Sequence, residues 1–78
     1  MDMRYLLFTT KYCVACAPVK KFLEQKALKG EMVDAVEESE KAIEYGVRSV
    51  PTVVFFDEGG CEVGRANNVS DVRSILSD

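Results

Sequence analysis

The chain has 78 residues, of which 47% are apolar and 29% are charged, which is typical of one soluble globular domain over residues 1–78. The formal net charge is −3 and the basic residues form no run, so a nucleic-acid-binding surface is not expected. No stretch is long and apolar enough for a signal peptide or a membrane span, so we expect a cytoplasmic monomer that does not contact membranes. In that reducing compartment a structural disulfide is uncommon.

Apolar periodicity and turn residues predict seven elements in the order βαβαββα. In chain order they are a strand over Met3–Thr9, a helix over Cys13–Lys29, a strand over Glu31–Val36, a helix over Ser39–Tyr45, a strand over Thr52–Phe56, a strand over Cys61–Ala66 and a final helix starting near Ser70. Pro18 falls within the early turns of the first helix, where it removes a backbone donor and is expected to kink the helix.

Small and polar residues predict where these elements end. Gly30 and Gly46 are expected to close the first two helices in the left-handed conformation. Ser39 and Ser70 are expected to cap the N-termini of the second and third helices. Residues 57–60, with the sequence Asp-Glu-Gly-Gly, have the composition of a hairpin turn.

A Cys-x-x-Cys pair, Cys13-Val14-Ala15-Cys16, lies where the first strand ends and the first helix begins. Two thiols at this spacing can close a disulfide without unfolding the helix, and free N–H groups at a helix start stabilise a thiolate. Cys13 is expected to be the more exposed sulfur and to attack a disulfide. Cys16 is expected to be buried and to resolve the resulting mixed disulfide. The pair therefore predicts dithiol redox chemistry.

The same pair is open to two other interpretations, a coincidence of two core cysteines or half of a zinc site. The chain has no histidine and only Cys61 as a further soft ligand, so a metal site is not expected. Cys61 is expected to be a small strand residue without a functional role. A non-enzymatic adaptor that binds a metal or a cluster through these thiols remains an alternative from another functional class.

Val50-Pro51 precedes the most strongly predicted strand of the chain. Proline at this position removes a hydrogen-bond donor from the sheet. One explanation is a trans proline that simply starts the strand. The other is a cis peptide bond, which is uncommon enough to indicate a specific role. Taken by itself, the dipeptide favours neither.

Two segments together resemble the thioredoxin superfamily. They are Phe8-Thr9-Thr10-Lys11-Tyr12-Cys13-Val14-Ala15-Cys16 and Tyr45-Gly46-Val47-Arg48-Ser49-Val50-Pro51-Thr52. Cys-x-x-Cys alone is a moderate signal, but the two segments in this order and at this distance are a strong one. The resemblance extends from the first strand to the last helix.

The resemblance implies the minimal thioredoxin fold, an α/β domain in which a four-stranded mixed sheet is flanked by three helices. It also implies that Cys13 is the nucleophile, Cys16 the resolving thiol, and Pro51 a cis proline packed against them. The backbone of Val50 would pair with an incoming substrate segment. The expected substrate-binding residues are Tyr12, Val14, Ala15, Val50 and Pro51. For Tyr12 the alternative is a ring that only covers the helix start.

The chain combines features of thioredoxins and of glutaredoxins. Its short length, and the apolar Leu7 where thioredoxins keep a buried aspartate, resemble glutaredoxins. The long hairpin after Pro51 resembles thioredoxins. The sequence Asn67-Asn68-Val69-Ser70-Asp71 replaces the Gly-Gly pair with which glutaredoxins hold glutathione, although Ser70 and Asp71 still offer polar contacts. The dipeptide Val14-Ala15 matches neither family and leaves the redox potential open.

We therefore predict a thiol–disulfide oxidoreductase that carries electrons to disulfides of partner proteins and serves cell redox homeostasis. Its only expected redox group is the Cys13–Cys16 pair, re-reduced by a thioredoxin-reductase-type enzyme. The alternative enzyme is a glutaredoxin that uses glutathione as its reductant.

Overall fold

A computed structural model describes residues 3–77. Its elements are β1 (Arg4–Thr9), α1 (Cys16–Glu24), β2 (Lys29–Asp34), α2 (Ser39–Glu44), β3 (Thr52–Phe56), β4 (Glu62–Ala66) and α3 (Val69–Leu76). This is the predicted order, βαβαββα. Within residues 3–77, every helix is too short and too polar to cross a lipid bilayer.

The four strands form one mixed sheet in the order β2-β1-β3-β4, which confirms the expected minimal thioredoxin fold. β1 is parallel to β2, so the chain must cross over between them, and α1 makes that crossover. β1 pairs with β3, and β3 with β4, in antiparallel fashion. The pairs Thr9–Asp34 and Phe8–Thr52 lie at one end of the sheet, which we call the cysteine end. The pair Arg4–Phe56 lies at the other, the hairpin end.

Both faces of the sheet are covered. Along the central strands, apolar side chains point alternately into two buried clusters, one on each face. One cluster lies under α1 and α3 and consists of Leu7, Val19, Leu23, Val53, Phe55, Ala66 and Val72. The other lies under α2 and consists of Phe8, Val33, Ala42 and Val54. Phe55 is fully buried in the first cluster, and Phe56 is half-buried against the second. Both therefore belong to the core, as a sheet with helices on both faces requires.

α1 is shorter at both ends than the predicted helix over Cys13–Lys29. It begins at Cys16, and the three residues before it form a turn. It ends at Glu24, because Lys29 and Gly30 are required as the partners of β1 residues in the parallel pair. The prediction that Gly30 caps this helix is therefore wrong. Gly30 faces Tyr5 across the ladder, and any Cβ at this position would overlap the Tyr5 ring.

Pro18 is the third residue of α1. The N–H groups of a helix's first turn have no acceptor within the helix, so a proline there removes no intrahelical hydrogen bond. The expected disruption inside the helix is therefore wrong, and Pro18 instead suits the start of this shorter helix.

Both predicted serine N-caps are wrong. The residue before α2 is Glu38, which makes no side-chain capping bond, and Ser39 is already helical. The N-cap of α3 is Asn68, whose side-chain oxygen accepts the N–H of Asp71 at 2.8 Å, and Ser70 lies within the helix. The spacing of Asn68 and Asp71 is that of a capping box, which satisfies one of the helix's free donors.

The predicted turns after α2 and between the last two strands are confirmed. Gly46 follows α2 with φ 66°, and Gly60 in the hairpin has φ 85°, both in the left-handed region that favours glycine. The side-chain oxygen of Asp57 accepts the N–H groups of Gly59 at 2.9 Å and of Cys61 at 3.0 Å. These bonds close the hairpin end of the sheet.

Candidate redox site

The loop from β1 to α1 folds so that its two cysteines meet. Three consecutive tight turns form it: Cys13 N–H donates to the carbonyl of Thr10 (3.3 Å), Cys16 to Cys13 (3.2 Å) and Ala17 to Val14 (3.3 Å). The Cα atoms of Cys13 and Cys16 are 5.3 Å apart and their sulfurs are joined in a disulfide. This separation lies within the range that a disulfide needs, so the pair can be oxidised without backbone movement.

The two cysteines differ in their access to solvent. Cys13 is half-exposed, whereas Cys16, the first residue of α1, is 5% exposed. This order of exposure agrees with the expectation, although it has another cause. α1 begins at Cys16, so Cys13 lies in the preceding turn and not at the first helical position. An outside disulfide can therefore reach Cys13 first.

Free main-chain donors lie next to Cys13. The N–H groups of Val14 and Ala15 donate to no backbone carbonyl within residues 3–77, and no acidic residue occupies the first turn of α1. Unpaired N–H groups near a helix start favour a thiolate. After reduction, the anionic form of Cys13 would have these donors close by along the chain.

The peptide bond between Val50 and Pro51 is cis, as the resemblance implied. Thr52, the residue after Pro51, pairs with Phe8 at the cysteine end of the sheet. Phe8 lies two residues before Thr10, whose carbonyl accepts the Cys13 N–H. The topology thus brings the cis-proline loop and the cysteine turn to the same end. Pro51 is buried and Val50 is half-buried. The contact of Pro51 with the cysteine sulfurs stays a prediction.

The cis-proline loop has a polar support that the sequence reasoning missed. The side-chain amide of Asn67 donates to the carbonyl of Pro51 at 3.2 Å and to the hydroxyl oxygen of Thr52 at 3.1 Å. Thr52 is the buried polar residue of the described core, at 5% exposure, and donates its hydroxyl to the carbonyl of Ser49 at 2.7 Å. The hairpin register could have indicated this contact. Ala66 pairs with Val53, so the next residue, Asn67, lies beside the residue before Val53, which is Thr52.

Two large apolar side chains stand out from the surface beside Cys13. Tyr12 is 92% exposed and Val14 is 89% exposed, and Ala15 is exposed as well. The alternative interpretation of Tyr12, a ring packed over the helix start, is wrong at this exposure. Neighbouring large apolar side chains that stay exposed in the folded protein are typical of a surface that contacts a partner.

The charges around the cysteine turn are mostly paired with one another. The Lys11 ammonium lies 4.0 Å from the Glu37 carboxylate, and both are exposed, so the pair adds little stability. The Asp34 side chain accepts the N–H groups of Glu37 and Val36, and these bonds hold the pKa of its carboxyl below the usual value, with Lys11 contributing less. The positive charge of Lys11, two residues before Cys13, is therefore partly offset by these two carboxylates.

No buried carboxylate lies beneath the cysteines in the described part of the chain. Leu7, which replaces the aspartate of thioredoxins, is 1% exposed and belongs to the core, and Thr52 is the one buried polar residue there. Cys61 is exposed next to Glu62, the partner of Phe56 at the hairpin end, so the fold separates it from Cys13 and Cys16. Among residues 3–77, no three histidine, cysteine or acidic side chains are grouped closely enough to share a metal ion.

Comparison with known proteins agrees with this geometry. The glutaredoxin family model matches residues 6–59, which is more than half of the chain. The chain belongs to the glutaredoxin family, within the thioredoxin superfamily. It is 34% identical over 64 residues to the SPbeta prophage-derived thioredoxin-like protein YosR of Bacillus subtilis, covering 82% of this chain and 80% of that protein.

A second relative and a solved structure are both thioredoxins. The chain is 35% identical over 54 residues to a thioredoxin of Methanocaldococcus jannaschii, covering 62% of this chain and 64% of that protein. Its fold superimposes on the thioredoxin of Fasciola hepatica with a TM-score of 0.83 and 25% identity, covering 97% of this chain and 79% of the other. Family membership and the Cys13–Cys16 pair together indicate a thiol–disulfide redox function.

Proposed function

We propose that the protein is a thioredoxin-like oxidoreductase that reduces disulfides of partner proteins in the cytoplasm. The observation that carries this proposal is the surface around the reactive sulfur. Half-exposed Cys13 lies between Tyr12 and Val14, whose side chains are 92% and 89% exposed. A folded or extended polypeptide can cover such apolar side chains, and their burial would contribute to binding.

The reaction proceeds in two exchange steps. The Cys13 thiolate attacks one sulfur of the partner's disulfide, so a bond forms between them and the partner's other sulfur leaves as a thiolate, which takes up a proton. Cys16 then loses its proton and attacks the Cys13 sulfur. The partner's second sulfur leaves and is protonated, and Cys13 and Cys16 are left joined. The partner has gained two electrons and two protons, and an external dithiol or reductase returns them to the protein.

The structure offers Cys16 no buried base for this second step, because no buried carboxylate is present in residues 3–77. The proton of Cys16 therefore goes to solvent or to the departing sulfur of the partner, whose own thiolate form is a base. This agrees with a site that assembles around a bound partner rather than one that holds an internal proton acceptor.

Two features of the α3 start support protein disulfides over glutathione. Asn67 and Asn68 stand where glutaredoxins have two glycines, and both side chains are already engaged in hydrogen bonds. The Asp71 carboxylate accepts the Asn67 N–H at 3.4 Å, so it contributes to the capping of α3. Ser70 is exposed in the first turn of α3.

One assay separates the two reductants. Reduction of insulin disulfides is followed with NADPH and thioredoxin reductase, and in parallel with NADPH, glutathione reductase and glutathione. We expect sustained turnover with the first system and slow turnover with the second. Efficient turnover with glutathione alone would show that the protein acts as a glutathione-dependent glutaredoxin.

Three serine substitutions test the assignment of the thiols. Cys13→Ser should abolish insulin reduction, and Cys16→Ser should accumulate a mixed disulfide with the substrate, visible by mass spectrometry of the intact complex. Cys61→Ser is the matched control, because this exposed thiol lies at the hairpin end, and it should keep full turnover. Activity retained by Cys13→Ser would show that the nucleophile is assigned to the wrong residue.

A further inference from the structure

Asn67 lies between β4 and α3 and is bonded to the loop that carries Val50. Its two amide bonds reach the carbonyl of Pro51 at 3.2 Å and the hydroxyl oxygen of Thr52 at 3.1 Å. The Thr52 hydroxyl continues this chain of bonds to the carbonyl of Ser49 at 2.7 Å. The residues on both sides of Val50 are therefore fixed, whereas Val50 itself is half-buried and takes no part in these bonds.

Asn67 is held in turn by the first turn of α3. Its N–H donates to the Asp71 carboxylate at 3.4 Å, and the Asp71 N–H donates to the side-chain oxygen of Asn68 at 2.8 Å. The second bond caps the N-terminus of α3, and the first ties Asn67 to the same turn through Asp71. The cis-proline loop is thereby connected through one side chain to a helix that packs on the core through Val72.

We propose that Asn67 is a positioning residue for partner binding, and that it fixes the main chain of Val50 in the conformation that pairs with an extended segment of the partner. This rests on the proposed function. A polypeptide flanking a disulfide presents main-chain N–H and C=O groups, which recognise a strand-like main chain, so its affinity depends on the conformation of that main chain. A small organic disulfide has no such segment and needs only Cys13. The role of Asn67 is thus specific to protein substrates.

The test compares insulin with 5,5′-dithiobis(2-nitrobenzoate) as substrates for Asn67→Ala and Asn67→Asp. Alanine removes the amide, and aspartate keeps its shape but cannot donate. For both variants we expect KM for insulin to rise about tenfold, which corresponds to the net loss of one to two hydrogen bonds, with kcat unchanged. The rate with the small disulfide should equal that of the wild type, and a cooperative urea transition should show that each variant is folded.

Asn68→Ala is the matched control, because it removes only the bond from the Asp71 N–H and leaves all three bonds of Asn67 itself, to Pro51, Thr52 and Asp71, in place. It should lower the melting temperature without changing KM for either substrate. Wild-type KM for insulin in both Asn67 variants, or a rise equally large in Asn68→Ala, would overturn the positioning role while the proposed function stands. A wild-type protein that reduces the small disulfide but not insulin would overturn both.

Discussion

The exposed apolar side chains beside Cys13 allow the docking of a partner to be separated from the stability of the fold. We consider Tyr12→Ser and Val14→Ser, each made alone. At 92% and 89% exposure, these side chains contribute almost nothing to the core, so each substitution should change the free energy of unfolding by less than about 0.5 kcal/mol. Almost the whole side chain is still available for burial against a partner.

The expected size of the binding effect follows from that available surface. Complete burial of a valine-sized apolar side chain is worth about 1.5–3 kcal/mol, and burial of about half of it is worth on the order of 1 kcal/mol. One such loss corresponds to a rise in KM of about fivefold, since each 1.4 kcal/mol is about a factor of ten. kcat should not change, because neither side chain takes part in the exchange of sulfurs. We expect Tyr12→Ser to have the larger effect, because its side chain is larger.

The assay is the steady-state reduction of insulin by the reductase-coupled system, with urea denaturation of each variant alongside. Val63→Ser is the control, since it makes the same substitution as Val14→Ser at a 50% exposed position in β4, near the hairpin end. It should leave KM unchanged. An unchanged KM in both test variants would refute the docking surface, and so would a rise that Val63→Ser reproduces. A fall in kcat at unchanged KM would indicate a role in the chemical step instead.

Three further predictions concern the stability of the fold and are read by urea denaturation. Gly30→Ala should destabilise the fold by about 1–3 kcal/mol, because the added Cβ overlaps the Tyr5 ring. This loss should be smaller when the substitution is made in a Tyr5→Ala background. An equal loss in both backgrounds would place the cause in the backbone. Gly46→Ala should lower the free energy of unfolding by about 1 kcal/mol through its φ of 66° alone, since no atom lies within 4 Å of the added Cβ. Gly46→Asn should lower it less, because asparagine tolerates the left-handed conformation. Equal losses would contradict this reasoning. The folded pKa of Asp34 lies below its usual value of 3.8, so the stabilisation by its carboxylate is fully present above pH 3.8 and is lost as the pH falls through the lower folded pKa. Wild type and Asp34→Ala should therefore converge in their free energy of unfolding on acidification. A constant difference down to the lowest pH would show that the charge of Asp34 is not involved.

The central strands were predictable because their apolar runs need no knowledge of distant residues. β3 begins and ends where the sequence predicted, and β1 differs by one residue. The boundary between α1 and β2 was not predictable in this way. Lys29 and Gly30 fit a helix end by local pattern, but pairing with Arg4 and Tyr5 assigns them to the sheet. A long-range contact decided between two locally acceptable conformations.

The error at the third helix has a different origin, because the local signal was present. The sequence offers Asn68 and Ser70 as capping residues within one turn, and Ser70 was the wrong one. An acidic residue three positions later marks the capping box, and Asp71 stands at that distance from Asn68. Attention to this spacing would have given the correct helix start, and with it the conformation of the segment that follows β4.

The site itself was predictable to the extent that motifs define it. Cys13, Cys16 and the cis bond before Pro51 were all indicated by short segments of sequence. Asn67 was not, because its partners lie about 15 residues earlier, as the separations of its two bonds show. Their meeting depends on the register of the β3–β4 hairpin, which contains an irregularity at Phe56. One residue more or fewer in that hairpin would have turned Asn67 to the other face of the sheet.

The geometry of the cysteine pair places the choice of substrate at the first exchange step. Cys16 is 5% exposed, so an outside disulfide meets Cys13, and Cys16 reacts only once Cys13 is bonded to a partner. At a Cα separation of 5.3 Å, that second step is intramolecular and needs no diffusing thiol. The chemistry after capture is then nearly the same for every partner. If the proposed function holds, discrimination between partners comes from what contacts them while Cys13 attacks, and for that contact we propose the side chains of Tyr12 and Val14 and the main chain of Val50. Substitutions at this surface should consequently act on KM, and substitutions of the two cysteines on kcat.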